Sequence, residues 1–143
     1  MGYLRHSTFT FSIICILTLT ACQSMVPAHD LRITNDGGGY VHLYAAQVDD
    51  VIHSGERVVI DGRCDSACTM YLAAPRTCVT KRARLGFHSA GPGLPEHIEW
   101  ANQVLLDHYP PSVRTWIEQH GGLTKRVIYL KGKELQGRVR RCA

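Results

Sequence analysis

Ser66, His88 and the three glycines Gly37 to Gly39 are the residues of this chain whose types and order suit acyl-transfer chemistry. Ser66 lies in Gly62-Arg63-Cys64-Asp65-Ser66-Ala67-Cys68, between the β-branched run Arg57-Val58-Val59-Ile60-Asp61 and the apolar stretch Thr69 to Ala74, which Pro75 stops. The first run reads as a buried strand and the second as a short helix, so Ser66 sits at a strand-to-helix turn. There the first helical N–H groups are unpaired and the helix dipole favours negative charge. That suits a nucleophile whose reaction creates an oxyanion. A serine alone lacks a base and further backbone donors, and both lie nearby in sequence. A strand at Leu31 to Asn35 ends in Asp36-Gly37-Gly38-Gly39, and a strand strongest at Leu85 to Phe87 ends in His88.

These three strand ends must be brought together by the elements between them. Val41, Tyr44, Ala45, Val48 and Ile52 recur at helical spacing and predict a helix from Tyr40 to His53, ended by Ser54-Gly55. Glu96 to Tyr109 reads as an amphipathic helix with Ile98, Ala101 and Leu105 inward, broken at Pro110-Pro111. Ser112 to His120 is a second helix carrying Trp116, Val127 to Leu130 a final strand, and Lys131 to Arg138 a last helical turn. Alternation of this kind predicts an α/β fold with a small, mostly parallel sheet and flanking helices. Ligands of such sheets bind at the carboxyl ends of strands. Asn35 to Gly39, Ser66 and His88 each fall at such an end.

The first 21 residues read as a signal peptide, residues 22–30 as a tether and residues 31–143 as one domain. Arg5 supplies the positive n-region, and Phe11 to Leu19 an apolar h-region too short to span a bilayer. Leu19-Thr20-Ala21-Cys22 resembles the bacterial lipobox, which makes Cys22 an acylated N-terminus and the bacterial membrane a partner; the plainer alternative is a secretory signal cut elsewhere, such as after Ala28. Gln23, rather than Asp, follows the cysteine, which by resemblance to Gram-negative sorting rules favours the periplasmic side of the outer membrane. Removing residues 1–21 takes away one of 16 basic residues and none of the 12 acidic ones, lowering the formal charge from +4 to +3. So small an excess does not argue for nucleic acid. Lys81-Arg82-Ala83-Arg84 and Arg138-Val139-Arg140-Arg141 read as solvated faces, with anionic lipid headgroups as a second reading.

Cys64, Cys68, Cys78 and Cys142 are an even set in an oxidising compartment and predict two disulfides, with three connectivities open. Cys64–Cys68 or Cys68–Cys78 is favoured by closeness in sequence, with Cys142 tying down the tail. Zinc fits less well, because Cys-x₃-Cys followed by a single cysteine lacks the usual Cys-x₂-Cys pairing. No metal or other cofactor is expected. His29, His42, His53, His97, His108 and His120 are scattered and read as surface or structural.

The order Asn35-Asp-Gly-Gly-Gly39, helix, strand, Gly62-x-Cys-x-Ser-Ala-Cys68, and strand ending in Gly86-Phe-His88 resembles the Clp protease/crotonase superfamily, most of all the periplasmic Clp-protease-like proteins with a Cys-x-Ser-Ala-Cys turn. The resemblance covers about residues 31 to 90. It implies Ser66 as nucleophile, His88 as general base, and the N–H groups of Gly39 and Ala67 as the oxyanion hole of a serine peptidase or hydrolase. Two departures accompany it. The family's opening strands have no counterpart ahead of Leu31, so the fold is read as truncated there, with a homo-oligomer as a way to complete the sheet. No acid occupies Val127 to Leu130, where the family's third catalytic residue falls; Asp107, Glu118 and Glu134 are the nearest candidates. Taken singly, Ser66 would be a helix N-cap, His88 a half-buried strand-end residue and the glycines a turn. The second functional reading is accordingly a non-catalytic envelope lipoprotein that uses the same fold for binding or assembly.

Overall fold

A computed structural model describes residues 29–143; the stretch read as a signal peptide, Cys22 and most of the expected tether lie outside the described residues. The chain runs β1 (Leu31–Asp36), α1 (Val41–Ser54), β2 (Val58–Asp65), a 3-10 helix (Ser66–Ala73), β3 (Cys78–Val79), β4 (Arg84–Phe87), α2 (Pro95–Asp107), α3 (Pro111–Gln119), β5 (Ile128–Lys131) and a short 3-10 turn (Gly132–Leu135). These build one five-stranded mixed sheet in an α/β fold. β2 is its centre, parallel to β1 on one side and to β3 and β4 on the other. β3 and β4 follow one another along the same edge of β2: Val59 and Ile60 face Cys78 and Val79, and Arg63 to Asp65 face Arg84 to Gly86. Val58, Val59 and Ile60 are all buried, as befits a strand covered on both faces.

β5 departs from the parallel pattern and pairs antiparallel with β4. Two helices, α2 and α3, separate these strands where one helix would return the chain to the starting end of the sheet. The chain therefore re-enters from the end it left. Phe87, Tyr109 and Trp116 fill the interior there, with Tyr109 edge-on to Phe87 at 5.1 Å between ring centres.

Two features of β2 differ from the sequence expectation. The strand does not stop at Asp61 but continues to Asp65, so Gly62 lies inside it rather than in a turn. The pairing with β1 slips between Ile33 and Asn35, leaving two β2 residues, Asp61 and Gly62, opposite Thr34 alone. A Cβ on Gly62 would lie 2.0 Å from the Thr34 carbonyl oxygen. Gly62→Ala should therefore cost about 1–3 kcal/mol, read as a lower urea midpoint. Gly93→Ala, whose Cβ would meet only Ile98 at 3.8 Å, should leave the midpoint unchanged. Equal midpoints for both variants would refute the close approach.

The neighbouring Asp61 is buried and ties three segments together. It accepts hydrogen bonds from Arg82, from Thr80 Oγ1 at 2.7 Å and from Arg32 Nη1 at 2.7 Å. The contacts from Arg82, Thr80 and Arg32 hold its carboxyl far below the usual carboxylate range. Asp61 thus fixes both β1 and the interruption between β3 and β4 onto β2.

Cys64 bonds Cys68 and Cys78 bonds Cys142, with Cα separations of 5.4 and 5.0 Å. Of the two short pairings favoured by sequence, Cys64–Cys68 is the one formed. The second bridge lays the tail beside β3, where Val79 pairs with Arg141. No helix among the described residues is long and apolar enough to cross a membrane.

Candidate active-site cleft

Because β1, β2 and β4 are parallel, their carboxyl ends lie together, and the glycine turn, Ser66 and His88 follow them directly. Gly39, Ser66 and His88 line one cleft of about 580 Å³. Ala67 is fully buried behind Ser66 and is not among the lining residues.

Ser66 has φ of 57°, the sole positive φ of a non-glycine residue among the described residues. A non-glycine residue in this region is disfavoured by about 1–2 kcal/mol, so the surroundings must impose the conformation. Three observations show how. The Cys64–Cys68 bridge closes a small ring around the residue. Thr69 Oγ1 donates to the Ser66 carbonyl at 2.6 Å and lies 2.8 Å from the Tyr109 hydroxyl. Thr69 has one proton, which the Ser66 carbonyl takes, so Tyr109 is the donor to Thr69; burial pushes the Tyr109 hydroxyl pKa up and keeps it protonated. Gly38 presses on the turn from the other side. A Cβ on it would come within 2.6 Å of the Asp65 carbonyl oxygen and 2.7 Å of Ser66 Cβ. Gly38, with φ of 79°, is therefore the position that only glycine fills, whereas a Cβ on Gly39 would meet just the Tyr44 ring, at 3.3 Å.

The glycine turn is itself anchored. Asp36 accepts the Gly38 N–H at 2.7 Å and the Tyr44 hydroxyl at 2.8 Å. That uses the Gly38 donor and leaves the Gly39 N–H without a partner among the described residues. Ser66 Oγ also makes no hydrogen bond there, and the residue at the N-cap of the 3-10 helix is Asp65, with no side-chain cap. The capping role open to Ser66 in the sequence is thus not the one it has.

His88 is half-buried, and its Nδ1 lies 2.8 Å from the Ser89 carbonyl oxygen. A carbonyl only accepts, so Nδ1 carries a proton, and in the neutral imidazole the lone pair is then on Nε2. No carboxylate hydrogen-bonds this ring among the described residues. Asp107 accepts from Gln103, Glu134 from Trp116 Nε1 at 3.4 Å, and Glu118 is exposed, so none of the three sequence candidates serves His88. The acid nearest Ser66 in sequence, Asp65, is buried. Its Oδ2 accepts from Arg63 Nε at 2.6 Å, while its Oδ1 is packed at Gly86 without a partner.

Sequence reasoning missed other residues of the cleft. Tyr40 and Trp100 line it with 73% and 55% of their surface exposed, an apolar rim around a polar centre. His42 and His97, expected as scattered surface residues, line it too. A signal existed: each falls in the first turn of a helix that follows a strand, which places it at the strands' carboxyl ends. His53, His108 and His120 each bond the carbonyl four residues earlier at 2.7 Å, a structural role. No group of three metal-ligating side chains is arranged to hold an ion among the described residues. Compared with models of known protein families and with curated proteins, the chain gives no match.

Proposed function

We propose that the protein is a Clp/crotonase-type serine hydrolase that acts on peptide or other acyl bonds. In this reading Ser66 Oγ attacks the carbonyl carbon while its proton passes to His88 Nε2. The tetrahedral oxyanion is held by the N–H groups of Gly39 and Ala67. His88 returns the proton to the leaving group, and water then hydrolyses the acyl-enzyme by the same route. The observation that carries the reading is Ser66 forced to positive φ at the end of the central strand, on the same cleft as a histidine whose Nδ1 is tied to a backbone carbonyl. The Ser89 carbonyl takes the orienting place an acid usually fills. The test is labelling of the purified protein with a fluorophosphonate probe, which should mark the wild type and miss Ser66→Ala.

A second reading, a binding or assembly module on the same fold, is favoured by the lack of a carboxylate on His88 among the described residues and by the exposed Tyr40 and Trp100. It predicts no labelling of either protein.

We further propose that Cys22 anchors the protein to the membrane on the periplasmic side. Metabolic incorporation of a palmitate analogue should mark the wild type and not Cys22→Ser; equal incorporation would remove the anchor.

A further inference from the structure

At the opposite end of the sheet, where β1, β2 and β3 begin, four arginines converge on a second cavity of about 300 Å³: Arg57, Arg76, Arg140 and Arg141. They come from three separate parts of the chain. Arg57 precedes β2, Arg76 precedes β3, and the other two belong to the tail that the Cys78–Cys142 bridge holds against β3. Like charges repel, so gathering four guanidinium groups requires contacts that offset the repulsion. Three are fixed by side-chain hydrogen bonds, Arg57 by two of them, the second from Nη2 to Cys78 Sγ at 3.6 Å. Arg76 Nη1 donates to the Gly55 carbonyl at 2.6 Å, Arg140 Nε to the Thr77 carbonyl at 3.1 Å, and Arg57 Nη1 to Asp30 at 3.1 Å. Arg141 is exposed and has no side-chain partner among the described residues.

Each of these bonds to protein uses few of the five donors a guanidinium carries. The rest remain for a ligand. Asp30 pairs with one of the four positive charges and leaves the lining strongly positive. An oxyanion matches that positive lining, and the forked geometry of arginine suits phosphate oxygens taken in pairs. A mere solvated basic face would not hold its guanidinium groups by backbone carbonyls around a concavity.

We infer that the cavity formed by Arg57, Arg76, Arg140 and Arg141 is a phosphate-binding site, taking either a free phosphate or the phosphate of an anionic lipid headgroup. The site is independent of any reaction at Ser66, which lies a full β2 length away, about 25 Å. The full chain, purified in a zwitterionic detergent, is titrated with inorganic phosphate against chloride at matched ionic strength. Separately, its sedimentation is compared between phosphatidylcholine vesicles and vesicles that also contain phosphatidylglycerol. The double variant Arg57→Gln/Arg141→Gln is the test and Arg126→Gln, an exposed arginine away from the cavity, the control. Circular dichroism checks that each is folded. Loss of two charge-assisted contacts should weaken phosphate binding about tenfold or more in the double variant alone. A phosphatidylglycerol-dependent gain in sedimentation, lost in the double variant and unmatched by free phosphate, assigns the site to a headgroup. Absence of both signals in the wild type, or equal signals in the double variant and the control, overturns the proposal.

Discussion

Ser66→Ala should abolish fluorophosphonate labelling and any acyl hydrolysis while barely changing stability. The small structural cost follows from what Ser66 Oγ does in the resting protein, which is to make no hydrogen bond among the described residues. Alanine tolerates the positive φ about as poorly as serine, and the bonds that impose it come from the backbone carbonyl, Thr69 and the disulfide. The melting midpoint should accordingly move by no more than the ~0.5 kcal/mol of an ordinary surface change. The effect on rate should be about 10²-fold, because the whole nucleophile–base–acid unit is worth about 10⁶ and a site without the acid has forgone about 10⁴ of it. His88→Ala should lose as much, and the double variant hardly more. A carbonyl in place of an acid should hold the wild-type rate itself low, since an acid missing from such a triad can cost about 10⁴. Turnover unchanged by Ser66→Ala would end the hydrolase reading and leave the cleft as a binding surface.

Opening the Cys78–Cys142 bridge should destabilise the domain about twice as much as opening Cys64–Cys68. The sequence separations are 64 and 4. In the chain-entropy account, the longer loop restricts the unfolded state by about 4 kcal/mol and the shorter one by about 2. Cys142→Ser also frees the tail that pairs with Val79, adding lost contacts to lost restraint. Urea unfolding of Cys142→Ser and of Cys68→Ser, both under non-reducing conditions, makes the comparison. A larger loss for Cys68→Ser would show that the ring around Ser66 carries packing energy that loop length does not capture.

The strand ends that form the cleft were legible because each is marked by punctuation: glycines after β1, the Ser66 turn after β2, histidine after β4. Helix boundaries were also close, with α1 found at Val41–Ser54 against an expected Tyr40 to His53. The face of α1 was less legible. Val51 and Ile52 lie about 60° and 40° to either side of Val48 around the helix axis, so spacing alone does not choose between them. The fold buries Val51 and leaves Ile52 40% exposed. The orientation of β5 depended on two helices packing as a pair, which local sequence does not state. Gly38 rather than Gly39 as the tightest position, and the Tyr109–Thr69 support of Ser66, needed contacts across the chain. Tyr109 lies 40 residues from Thr69, and no spacing rule joins them.

The pairing of the four cysteines has a topological consequence. Of the three ways to join them, one interleaves the two loops, one nests the first inside the second, and one places them side by side along the chain. Cys64–Cys68 and Cys78–Cys142 are the side-by-side arrangement. A polypeptide that emerges from its amino end can therefore close the first ring before Cys78 has appeared. Once that ring is shut, Cys78 and Cys142 have no alternative among the four. Such a connectivity can be reached by order of arrival, without a wrong bridge to undo.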